Sequence, residues 1–186
     1  YTPVMKLVCR DWYNILKHTY SKIDESVELL IKIGNLDTLK WIYQYMKLPF
    51  DYDFCIDAAH YGRLEILQWL RTFDCPWTAD TCAAAAENGH LNILKWAYAH
   101  GCSWNEWTCS YAASSGHLEI LQWARENGCP WNTWTCIYAA KNGHLEILKW
   151  AHAHGCPWDE TTCGRAAGSG HLEILKWANT NGCPWD

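Results

Sequence analysis

The sequence predicts an all-α helical-repeat solenoid built from helix–turn–helix units with a 27-residue period. Three observations predict it. Gly62, Gly89, Gly116, Gly143 and Gly170 recur at that one interval, as do Trp69, Trp96, Trp123, Trp150 and Trp177. Two cysteine ladders keep the same period, one through Cys55, Cys82, Cys109, Cys136 and Cys163 and one through Cys75, Cys102, Cys129, Cys156 and Cys183. The residue after each Cys-Pro-Trp-type step is Thr78, Asn105, Asn132, Asp159 or Asp186, and each can accept an orphan N–H at a helix N-terminus. A fixed period of this size is the signature of a repeat array.

The phase of the unit follows from the caps. Asp51 and Asp24 extend the series backwards, giving six repeats at 24–50, 51–77, 78–104, 105–131, 132–158 and 159–185. After the cap comes a short first helix, Glu106 to Ser115 in the clearest unit. Gly116 ends it, because glycine readily adopts the left-handed conformation of a helix C-terminus. A second helix then runs from about His117 to Asn127, with Leu118, Leu121 and Ala124 at helical spacing and Ile120 between them. Gly128 closes it, and Pro130 fits the loop because proline cannot continue a helix. One such pair cannot bury both apolar faces alone, whereas a stack of pairs can.

The first repeat is degenerate: Leu48 and Phe50 stand where later units have Cys and Trp, and Gly34 comes one residue early. Terminal repeats are expected to be atypical. The sequence also stops at Asp186, a cap with no helix after it, so the array is expected to continue beyond 186. Residues 1–23 lie outside the period and form an N-terminal capping segment.

Composition bounds the function. The chain has 186 residues, 49% of them hydrophobic and 19% charged, so it should fold rather than stay disordered. Net charge is -5 without a run of Lys or Arg, which argues against nucleic acid. No stretch approaches 18 apolar residues, so no membrane span is expected, and no signal peptide is recognised.

The string Trp107-Thr108-Cys109 through Ala112-Ala113-Ser114-Ser115-Gly116-His117, followed by LEILQWARENGC, resembles the ankyrin consensus T-P-L-H-x-A-A-x-x-G-H and its second helix. The likeness covers residues 24–186. It departs in length, since the usual ankyrin unit is longer, at about 33 residues. The missing residues fall where ankyrins carry a β-hairpin finger; Trp-bearing loops are expected to replace the fingers. This Trp/Cys-rich short form resembles the ankyrin arrays of large DNA viruses and some protists. Separately, Val4 to Leu16, with Val8-Cys9-Arg10-Asp11-Trp12, resembles the last part of an F-box. The alternative for the same segment is an amphipathic capping helix that packs Leu7, Trp12 and Leu16 on the first repeat.

The chain has 14 Trp and 11 Cys. Like cysteines of successive units are expected roughly 8–10 Å apart, the packing distance of neighbouring helices. That is too far for a shared metal ion or for a disulfide, which needs Cα atoms within about 7 Å. Buried free thiols are the expectation, in a reducing compartment such as the cytoplasm, with a bridge of the Cys75–Cys82 kind as the geometric alternative. His90, His117, His144 and His171 follow the turn glycine and are expected to make a local turn-stabilising hydrogen bond. His100, His152 and His154 suit second-helix C-termini. Trp96, Trp123, Trp150 and Trp177 are expected between units, and Trp77, Trp104, Trp131, Trp158 and Trp185 in the loops. No nucleophile–base pattern, phosphate loop or metal spacing appears, so neither an enzyme nor a cofactor is expected.

Positions that change between units are not required by the stack. On the first helix these are Ala83, Ser110, Ile137 and Gly164; Ala84, Tyr111, Tyr138 and Arg165; and Glu87, Ser114, Lys141 and Gly168, with Trp107 and Trp134 where other units hold Asp80 and Thr161. In ankyrin arrays the first helices line the concave face. By that resemblance Trp107, Tyr111, Trp134, Tyr138, Lys141 and Arg165 form a partner-binding strip, of the residue types that dominate protein recognition. The expected function is a protein–protein interaction scaffold. The F-box likeness implies a substrate-recruiting adaptor of a ubiquitin ligase, with a Skp1-like partner, in the host cytoplasm if the protein is viral. The alternative is a structural component of a virion or other large assembly.

Overall fold

The computed structural model describes residues 27–46 and 51–184. The F-box-like segment, Asp24, the 48–50 step, Trp185 and Asp186 lie outside these residues. The chain divides into two compact units, residues 1–49 and 50–186. In the first, helical residues 27–33 (α1) and α2 (Leu36–Met46) flank Gly34, and Val27, Ile31 and Leu39 are buried. Asn35 Oδ1 accepts the Thr38 N–H at 3.0 Å and so caps α2.

The second unit is a row of helix pairs: α3 (Tyr52–His60) with α4 (Leu64–Arg71), α5 (Ala79–Glu87) with α6 (Leu91–Ala99), α7 (Glu106–Ser114) with α8 (Leu118–Glu126), α9 (Thr133–Lys141) with α10 (Leu145–Ala153), and α11 (Glu160–Gly168) with α12 (Leu172–Thr180). Among the described residues no strand occurs. The first helices α3, α5, α7, α9 and α11 pack in succession, and each carries its own second helix. The chain is therefore an all-α helical-repeat solenoid across this unit.

The caps form as their side chains dictate. Asp51, Thr78, Asn105, Asn132 and Asp159 each accept a backbone N–H at the start of a first helix, and Asp159 with Thr162 completes a capping box. At the other end of α7 the His117 N–H reaches back to Ala112 O at 2.9 Å; after α8 the Cys129 N–H reaches Ala124 O at 2.9 Å. These bonds satisfy terminal carbonyls and require left-handed Gly116 and Gly128, at φ +86° and +83°.

Burial of the second helices follows the expected stripe: Ile120, Leu121 and Ala124 are buried, with equivalents Ile93, Leu94 and Ala97 and Ile147, Leu148 and Ala151. The first helices meet through small groups. Thr108, Cys109, Ala112 and Ala113 are completely buried, as are Thr135, Cys136, Ala139 and Ala140. The Ala83, Ser110, Ile137 series is buried as well, at 2%, 0% and 3% exposure. Those positions therefore belong to the interior, where Ser110 meets the Thr135 hydroxyl of the next first helix at 3.4 Å; within the series only Gly164, on α11, is exposed.

Three members of the histidine ladder make a cross-unit bond rather than a local one. His90 Nε2 lies 3.1 Å from His60 O, His144 Nε2 3.1 Å from Ser114 O and His171 Nε2 3.0 Å from Lys141 O. A carbonyl can only accept, so each ring carries its proton on Nε2. The imidazole thereby caps the end of the preceding first helix and lies over its turn glycine. A Cβ on Gly116 would come within 2.8 Å of His144 Cε1, whereas one on Gly128 would meet nothing within 4 Å. Gly128→Ala should cost about 1 kcal/mol for the left-handed backbone alone. Gly116→Ala should cost more, because the ring must leave Ser114 O, and His144→Ala should abolish that excess. Urea unfolding of the three single variants and the Gly116→Ala/His144→Ala double variant measures this.

Candidate interaction surface

Two surfaces of the array are built from large side chains. The first is the outer face of the first helices. Trp107 and Tyr111, one turn apart on α7, have ring centroids 5.6 Å apart; Trp134 and Tyr138 repeat the arrangement on α9 at 5.4 Å. Trp134 is 38% exposed, while Trp107, Tyr111 and Tyr138 are half-buried. Burial pushes the Tyr111 phenol above its ordinary value, and Glu87 adds to this ahead of Tyr138 and Asp80. Tyr111 thus senses carboxylates of α5 on one side and the α9 phenol on the other. Lys141 and Arg165 are exposed at the last turn of α9 and on α11. Along the row the equivalent positions run from acidic (Asp80, Glu87) through aromatic (Trp107, Tyr111, Trp134, Tyr138) to basic (Lys141, Arg165).

The second surface is an aromatic spine along the loops and second helices. Among the described residues each loop tryptophan stacks on the side chain six residues before it: Arg71 on Trp77 (4.2 Å), Tyr98 on Trp104 (4.0 Å), Arg125 on Trp131 (4.0 Å) and His152 on Trp158 (4.0 Å). The same tryptophans meet the second-helix tryptophan of the next unit, Trp77 with Trp96 at 5.9 Å, Trp104 with Trp123 at 5.8 Å, Trp131 with Trp150 at 5.9 Å and Trp158 with Trp177 at 5.6 Å. Arg71 and Arg125 also donate to the carbonyls of Cys75 and Cys129, which fixes each guanidinium over its ring. His100 and His154 stack on Trp96 and Trp150 and each bonds its helix's late carbonyl. Sequence reasoning does not find this spine, although a signal for it exists. Arg71, Tyr98, Arg125 and His152 occupy one varying position, and all are planar π or cationic groups suited to an indole face.

The cysteines pair within units at a 20-residue spacing, a relation between the two ladders that period alone does not reveal. Cys55 Sγ lies 3.4 Å from Cys75 Sγ, and Cys163 is bridged to Cys183. A hydrogen bond to Cys102, Cys129 and Cys156 is the largest influence on Cys82, Cys109 and Cys136 respectively, and with burial it pushes those thiols up. The Cys75–Cys82 kind of bridge does not form. Cys55, Cys75, Cys82, Cys102, Cys109, Cys129, Cys136 and Cys156 are buried free thiols. Among the described residues no group of three or more His, Cys, Asp or Glu is placed to hold a metal ion, and no helix is long and apolar enough to cross a membrane.

The family of ankyrin repeats in many copies matches residues 82–125, 109–152 and 136–178, together more than half of the sequence. The chain belongs to the ankyrin-repeat family. No curated protein matches it significantly. Ankyrin arrays are protein-interaction scaffolds, and this array carries its large aromatic groups on two distinct faces. One of them, the spine, is occupied by contacts between units. Arg125→Ala should therefore destabilise the ankyrin array by about 1 kcal/mol, the scale of a partly desolvated cation–π contact. Arg125→Tyr should restore most of the loss, as Tyr98 fills the same place over Trp104. Thermal unfolding of the two variants checks both.

Proposed function

We propose that the outer face of the first helices α5, α7, α9 and α11 is the docking strip of this scaffold and receives a segment of a partner protein. The observation that carries this reading is the pair of i,i+4 aromatic couples, Trp107–Tyr111 and Trp134–Tyr138, left partly exposed on adjacent helices. Equivalent positions in neighbouring units are filled by Asp80, Ala84, Thr161 and Arg165, so stacking does not demand aromatics there. Large rigid aromatics flanked by charge are the groups that most often dominate binding energy. Asp80 and Glu87 at one end and Lys141 and Arg165 at the other favour a partner segment of opposite polarity, basic over α5 and acidic over α9–α11.

A more specific role is that of a substrate-recruiting adaptor in an F-box-type ubiquitin ligase. Its support is the Val8-Cys9-Arg10-Asp11-Trp12 likeness, which would supply contact to a Skp1-like protein while the array holds the target. A reducing compartment, the cytoplasm or the host cytoplasm for a viral protein, would keep the buried thiols free.

Affinity capture with the wild-type chain and with Trp107→Ala/Trp134→Ala tests the docking strip. The partner should bind the double variant at least tenfold more weakly, since hot-spot truncations cost about 2 kcal/mol or more, while helix content stays unchanged. Equal capture by both would overturn the assignment of this face. Recovery of a Skp1-like protein favours the adaptor. Stoichiometric recovery of the chain in purified particles, without such a protein, favours the structural alternative.

A further inference from the structure

Ten of the eleven cysteines fall into five pairs of one design. The first member lies on a first helix; the second follows the second helix of the same unit. The environment of the second member is also repeated. Its sulfur sits against the backbone carbonyl of that unit's helix cap, with Cys75 donating to Asp51 O at 3.3 Å, Cys102 to Thr78 O at 3.3 Å and Cys129 to Asn105 O at 3.5 Å. Cys156 matches them, and the bridged Cys183 sulfur holds the same place 3.5 Å from Asp159 O. The Cα atoms of Cys163 and Cys183 are 6.9 Å apart, at the upper limit of the separation a disulfide spans. In the other four pairs the two thiols are hydrogen-bonded to each other, with the Cys55 and Cys75 sulfurs 3.4 Å apart.

We propose that each pair is a dithiol that closes into a disulfide by exchange with a low-molecular-weight disulfide such as oxidised glutathione. The array would then carry a ladder of up to five staples, each tying a first helix to the loop behind its own second helix. The loop cysteine loses its proton to solvent and its thiolate attacks one sulfur of glutathione disulfide. That S–S bond breaks, and one glutathione leaves as thiolate and is protonated. The first-helix cysteine then gives up its proton and attacks the loop sulfur of the mixed disulfide, releasing the second glutathione. One oxidised glutathione takes two electrons and two protons from each pair and becomes two reduced glutathiones.

The order of attack follows from position. Cys102, Cys156 and Cys183 keep 3–4% exposure at the loop and Cys75 keeps 1%, while Cys55, Cys82, Cys109 and Cys136 on the first helices have none. Cys129 is covered completely, so its loop must open before exchange. In the first pair, the hydrogen bond from Cys55 holds the Cys75 thiol below its ordinary value, helped by Arg71, and the same bond with burial pushes Cys55 up. The loop thiol is thus the entry point and the helix thiol resolves. The pairs are internal to units, so closing one staple does not require another to close.

The test uses the full chain, reduced without denaturant, exposed to oxidised glutathione, quenched by an alkylating agent and then mapped by mass spectrometry. Disulfides should join each first-helix cysteine to the loop cysteine of its own unit and no other, and the heat-unfolding midpoint should rise with oxidation. In Cys109→Ser, Cys129 should be recovered alkylated or glutathionylated while the remaining pairs still close; Cys129→Ala should give the mirror result for Cys109, covering the case in which the serine variant folds poorly. Bridges between Cys75 and Cys82 or between units would overturn the proposal. So would a native chain that stays fully reduced under conditions that oxidise it when unfolded.

Discussion

The close approach of successive first helices sets the geometry of everything else in the array. Thr, Cys and two Ala residues form that contact on α5, α7 and α9, and at Thr108, Cys109, Ala112 and Ala113 no surface is left exposed. Small side chains let helix backbones come near one another, which brings the unit-to-unit hydrogen bonds within reach. The contact is not ideal throughout. The Thr81 and Thr108 hydroxyls are buried with no hydrogen-bond partner, at a cost on the order of 1–3 kcal/mol each. Ser110 solves the same problem by donating to Glu106 O at 2.9 Å and meeting the Thr135 hydroxyl at 3.4 Å.

The 27-residue unit joins its neighbours through the aromatic spine as well as through the first helices. Trp77, Trp104, Trp131 and Trp158 each have one face on a neighbouring cation or ring and a second contact with the tryptophan of the next unit. Along the loops, contact between units comes from indole area. That explains how a unit with a first helix of nine residues holds its register, since isolated helices of that length are marginal in water. The two aromatic populations also differ in what they do. The spine joins units, whereas the Trp107–Tyr111 and Trp134–Tyr138 couples lie on the other helix.

Local chemistry was readable from the residues. Asp51, Thr78, Asn105, Asn132 and Asp159 cap helices because the side-chain oxygen decides that locally, and Gly116 or Gly128 marks a turn because only its backbone requirement matters. Relations across units were not readable in the same way. The position of His144 after its turn glycine predicts a local bond, but the packing of successive units puts its Nε2 3.1 Å from Ser114 O of the unit before. Variation misled at Ser110 and Ile137, which are buried in the interior. The thiol pairing within units was hidden because each ladder, read alone, places like cysteines too far apart to interact.

The reach of His144 to a carbonyl thirty residues earlier has an evolutionary corollary. A histidine, the glycine near it and the carbonyl it caps span one junction, and the junctions closed by His90, His144 and His171 are made from the same sequence positions. Loss or duplication of a 27-residue block, begun at any point in the period, joins a histidine to a glycine and carbonyl of the right kind. Unequal recombination within this stretch can therefore lengthen or shorten the array and keep the histidine contact at the new joint, while the exposed first-helix positions on each copied block remain free to diverge.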